Sequence, residues 1–191
     1  MGPRDFDPVA LGNAECDGWM AYYRHEWARL LTSSIRMVRV GFGMNWPQTL
    51  LGAWYVLRAN QVWAPVPDND PDRAREFMRR FYALVRRGGV LDIDAAEAAR
   101  REVEWWRVHR LHQRESQFGE DDLVQCLVAL YSYVYTAEEE ALRPAAIHRV
   151  VAMRCSDAWV AGGCKPDDPL ARSEREELVA SYTALLAAVR R

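Results

Sequence analysis

The side chains best placed to do chemistry lie on the apolar side of one segment, Asp94 to Gln113, DAAEAARREVEWWRVHRLHQ. Advancing 100° per residue aligns Ala95, Ala98, Glu102, Trp105, Trp106, His109 and Gln113, with Arg100, Glu104, Arg107 and Arg110 opposite. An acid and an imidazole thus fall among large rings, where a carboxylate needs a partner or takes up a proton. The same stepping turns Arg58 inward, between Leu51 and Trp54, and His148 inward, beside Ala152 and Cys155. Glu15, Tyr22 and Glu26 stand at the margin of the apolar side of the first helix, and Tyr22 and Glu26 join the set as marginal members.

Three chemistries fit this set. Imidazole and carboxylate are ordinary ligands of iron, manganese or zinc. Glu102, His109 and His148 would be ligands, Glu26 a fourth, and Arg58 would orient an anionic substrate of a metal-dependent oxidoreductase or hydrolase with one or two metals. Glu102 and His109 are seven residues apart, about 10 Å along a helix axis, which suits two metals better than one. Alternatively, the cluster lines a metal-free pocket for a small or haem-like organic ligand, enclosed by Trp19, Trp54, Trp105, Trp106 and Trp159. Its binding residues would be Arg58, Glu102, Trp105, Trp106, His109, His148, Trp159 and Tyr22. Thirdly, Arg58 pairs with Glu102, both histidines find local partners, and the cluster only fixes packing. A small-ligand-binding or structural protein is the expectation taken forward.

The two-turn spacing of Glu102 and His109 on a core helix resembles the haem-oxygenase-like di-metal oxidases, over that helix alone. The resemblance implies metal-dependent oxidation with Glu102 and His109 among the ligands. That family also bears histidine and acid ligands on a later helix, where this chain has only His148, near Ala152 and Cys155. A Glu-x-x-His pair of the ferritin-like kind does not occur in the sequence.

The elements that must position these residues are all helical. Asp7-Pro8, Asp70-Pro71 and Asp168-Pro169 each put a capping acid before a proline suited to the first helical position. Asp94 to Glu97 and Thr136 to Glu139 read as capping boxes. The spacing predicts helices over about 8–40, 47–63, 71–87, 94–113, 121–135, 144–162 and 169–190. The first stops at Gly41-Phe42-Gly43, the third at Gly88-Gly89 and the sixth at Gly162-Gly163. The segment 47–63 is apolar nearly all round and reads as central. The expected fold is all-α: a single-domain bundle, 1–191, of about seven helices with a long first helix and short loops.

Other motifs fail on their spacing. His25-Glu26-Trp27-Ala28-Arg29 lacks the second histidine of a zincin, and His25 points away from the apolar side. Asp68, Asp70 and Asp72 open like a calcium loop, but Arg79 stands at the twelfth position, so helix capping is the better reading. His112 falls at the edge of its face, near the helix end, and reads as a surface residue.

A net charge of -2 excludes a global basic field, so nucleic acid is not an expected partner. Lys165 is the only lysine among 25 basic residues, and arginines alternate with acids as on solvated faces. The polar start and scattered Cys16, Cys126, Cys155 and Cys164 suggest a cytoplasmic protein, not bound to a membrane. Eight tryptophans and eight tyrosines also suit an interface, with a homodimer through the first or last helix as the form considered.

Overall fold

The computed structural model describes residues 2–88, 91–115, 117–165 and 167–190. Among them are eight helices: α1 (Pro8–Tyr23), α2 (Trp27–Phe42), α3 (Trp46–Trp63), α4 (Pro71–Arg87), α5 (Ala95–Glu115), α6 (Glu120–Tyr135), α7 (Glu139–Ala161) and α8 (Pro169–Val189). The fold is all-α, and the one bridge among the described residues is Gly2 with Asp5. Gly89, expected at the end of α4, lies outside the described residues.

Local chemistry sets most boundaries. Asp7 accepts from the amides of Val9 and Ala10, Asp70 from Arg73, Asp94 from Glu97 and Asp168 from Leu170. Asn45 caps α3 in the same way, accepting from Gln48, with Pro47 in the first turn. Thr136 does not start a helix: it sits at φ 48 and closes α6, and α7 begins at Glu139 and runs through Pro144.

The long first helix is in fact two. Glu26 N–H donates to Ala21 O at 2.8 Å and His25 N–H to Tyr22 O at 3.0 Å, with His25 at φ 57. These two bonds are a Schellman stop with histidine where glycine is usual. The end of α7 repeats it conventionally, with Gly163 at φ 85 and Cys164 N–H donating to Trp159 O at 3.0 Å.

Each helix packs on the one before and the one after it, and α8 returns to α1, so the eight close into a ring. Closure is tight at Gly12, where an added Cβ would lie 2.7 Å from the backbone N of Val179 on α8. Around it Arg175 donates to Asn13 O and Asp17, and Ser181 to Ala145 O on α7. The first and last helices thus use their faces on each other and on α2 and α7.

The helix expected to be central is not. α3 buries small residues, Thr49, Gly52, Ala53 and Ala59, with Leu57 and Trp63, and turns Trp46 (59 % exposed), Leu50, Leu51 and Trp54 (48 % exposed) outward. Among the described residues, no helix is long and apolar enough to cross a membrane.

Replacing Gly12 by alanine gains about 1 kcal/mol of helix propensity but drives a methyl into the backbone of α8. Urea unfolding of Gly12→Ala should show a net loss of about 1–3 kcal/mol. A variant as stable as the parent would mean that α1 and α8 do not approach this closely.

Candidate functional site

The ring is hollow. A cavity of about 1040 Å³ runs through it, and all eight helices contribute to its wall. Many rings line it, among them Trp19, Trp63, Trp105, Trp106, Tyr82 and Tyr131. Exposed lining residues such as His25, Val66, Gln113 and Arg114 mark where it meets solvent, whereas Glu15, Tyr82 and Tyr131 belong to its buried part.

Glu102 projects from α5 into this space and is held by three donors. Tyr82 Oη donates to Oε2 at 2.7 Å, and the indole N–H groups of Trp105 and Trp106 each donate to Oε1 at 3.2 Å. Burial raises its pKa, and these donors only partly oppose the shift. Tyr82 is held well above the ordinary phenol range, first by burial and then by the adjacent Glu102.

A second polar group ties three helices together. Both Nη atoms of Arg149 on α7 donate to the carboxylate of Glu15 on α1, the Nη1 to Oε2 contact being 2.9 Å, and Tyr182 Oη on α8 donates to Glu15 Oε2 at 2.7 Å. The guanidinium also faces the rings of Trp105 at 5.6 Å and Trp19 at 5.8 Å. Burial, the largest influence, opposes its charge, but Glu15, Tyr131 and Tyr182 together outweigh that and hold Arg149 well above the usual guanidinium range. Tyr131 beside it is pushed up to about 12 by burial.

Toward the C-terminal end of α5, His109 Nε2 lies 3.1 Å from Asp157 Oδ2, and Gln113 donates to Asp157 Oδ1 at 2.8 Å. All three line the cavity. Next to them Arg110 lies flat over Trp63, 4.2 Å from the ring centre, with Nη2 3.4 Å from Tyr22 Oη.

The expected site residues divide in two. Glu102, Trp105, Trp106, His109 and Tyr22 do meet on the cavity wall. Arg58, His148, Trp159, Glu26 and Trp54 do not. Arg58 donates to Gln61 at 2.7 Å and lies between Trp54 and Phe77, so it is not the partner of Glu102. His148 is on the outer side of α7, its side chain 42 % exposed against 13 % for His109, and it pairs with Glu177 at 2.7 Å. Trp159 is fully buried, its indole donating to Lys165 O at 2.8 Å. Glu26 pairs with Arg29. The four expected metal ligands thus have four separate sets of partners. Among the described residues, no three His, Cys, Asp or Glu side chains are grouped to hold a metal ion.

Sequence reasoning missed Arg149, Tyr82 and Asp157, left Glu15 at the margin of its helix without a role, and placed Arg110 on the solvated side. Arg149 did carry a signal, since Ala145, Ala146, Ala152 and Met153 stand three and four residues to either side and all are buried. His112 is half-buried, its Nδ1 2.6 Å from Phe118 O.

Glu174 on α8 is fully buried, and neither carboxyl oxygen has a partner among the described residues. Burial, with Glu15 nearby, raises its pKa from 4.5 to about 8. Between those values the folded chain holds a proton that the unfolded chain has released, so its contribution to stability is full below 4.5 and lost as pH rises toward 8. Glu174→Gln should flatten that decline, and by pH 8.5 the variant should exceed the parent by about 1–3 kcal/mol in denaturant titrations. Parallel pH profiles would mean that the carboxyl is solvated.

No protein-family model matches the chain, and neither does any curated protein or solved structure.

Proposed function

We propose that the protein binds a small, largely apolar ligand inside the helical ring. The observation that carries this reading is the cavity itself, about 1040 Å³ and lined by many aromatic rings. Ligand pockets commonly measure about 300–1,000 Å³, with a few fixed polar groups set in apolar walls. Here those groups are held before any ligand arrives: Glu102 by three donors, Arg149 by Glu15, and His109 by Asp157. Ordering them beforehand lowers the entropic cost of binding.

A metal-dependent oxidoreductase or hydrolase has less support, because Glu102, His109, His148 and Glu26 face different partners. Self-association through the first or last helix also has less, since α1 and α8 pack on each other. The outward stripe of Trp46, Leu50 and Trp54 on α3 is the face that would favour it. The four cysteines are free thiols, in keeping with a reducing compartment such as the cytoplasm.

The test is titration with N-phenyl-1-naphthylamine, an uncharged two-ring fluorophore. Saturable 1:1 binding with a rise in Tm is expected. Val56→Trp, which fills part of the cavity, should weaken it at least tenfold, while Trp54→Ala, outside the cavity, should leave it unchanged. Non-saturating binding, or equal affinity in Val56→Trp, would contradict the proposal.

A further inference from the structure

Most charged groups on the cavity wall have fixed partners: Glu102 is held by Tyr82, Trp105 and Trp106, and Arg154 faces Glu120. Arg149 is neutralised by Glu15, and His109 faces Asp157. Arg110 has no carboxylate within ion-pair distance among the described residues. Its Nη1 is buried and donates to nothing, and its only polar contact is the long one to Tyr22 Oη. Trp63 covers the flat face of the guanidinium, so water cannot solvate it from that side. Arg114, one turn later on the same wall, adds positive charge instead of relieving it. Burial lowers the pKa of Arg110, as expected for a cation short of compensation.

A half-buried guanidinium on the cavity wall with no carboxylate beside it is a fork for a planar anion. The neighbouring surface fixes what the anion is attached to. Trp63 and Trp106 lie 5.9 Å apart beside it, and beyond them the wall is aromatic. One half-buried cation among rings, with Arg114 exposed toward solvent, matches a monoanion on a hydrophobic body better than a polyphosphate.

Building on the ligand-binding reading above, we propose that Arg110 is the anion-recognition residue of the cavity and that the ligand is an arene monoanion, a carboxylate or sulfonate. The acid group meets the part of the Arg110 guanidinium that lines the cavity, and the rings lie against Trp63 and Trp106.

The test compares two probes of one scaffold: 8-anilinonaphthalene-1-sulfonate and its uncharged counterpart N-phenyl-1-naphthylamine. Wild-type protein should bind the sulfonate on the order of tenfold more tightly, in mutual 1:1 competition with the neutral probe. Arg110→Gln should abolish that preference, weakening the sulfonate more than the neutral probe, and Arg110→Lys should keep part of it. Equal affinity of both probes for the wild-type protein would overturn the anion site while leaving the cavity reading intact. A preference that survives Arg110→Gln would do the same. Failure of both probes to bind would overturn the cavity reading, and this inference with it.

Discussion

The ring depends on the buried contact of Glu15 with Arg149. These two residues lie on α1 and α7, and Tyr182 on α8 joins them, so one cluster spans the three helices at which the ring closes. Leaving either charge without its partner in such a place costs about 3–5 kcal/mol, far more than a surface pair contributes. The pair therefore selects the closed arrangement over others that would bury similar apolar area. The near contact of Gly12 with Val179 on the adjoining helices brings the backbones close enough for the cluster to form.

That constraint also explains how a chain with this many rings stays hollow. Eight helices in a ring cannot all reach its middle, and side chains must bridge what remains. Here His109 meets Asp157 from α5 to α7, and Tyr82 meets Glu102 between the neighbouring α4 and α5. Each bond holds a polar side chain in one direction and keeps the rings from collapsing onto one another. The walls are thus rigid in the places where a ligand would need orientation, and apolar elsewhere.

The parts legible in the sequence are those set by neighbours along the chain. Asp-Pro pairs mark helix starts because the cap bond spans only two or three residues. The face of α5 carrying Glu102, Trp105 and His109 is legible because its rings recur at helical spacing. The break at His25 is not, because a residue other than glycine occupies the left-handed position. The phase of α7 is ambiguous in sequence, since Val150 to Met153 is a continuous apolar run. Stepping through Ile147 and Val151 favours His148, whereas packing turns Arg149 inward with the small Ala145 and Ala146. α3 misleads for a related reason, as its buried side is small and its large rings face out. Arg110 reads as solvated because a helix flanked on both sides and facing a cavity buries more than half its circumference. Partners such as Tyr82 and Asp157 come from distant segments, and no local pattern announces them.

The most direct measurement is a double-mutant cycle on Glu15→Gln and Arg149→Met, read by equilibrium unfolding of the four proteins. The account predicts that each single change removes about 3 kcal/mol or more and that the double change costs clearly less than their sum. Additive losses, or single losses below about 0.5 kcal/mol, would show that the two groups are separately solvated and that ring closure rests on something else.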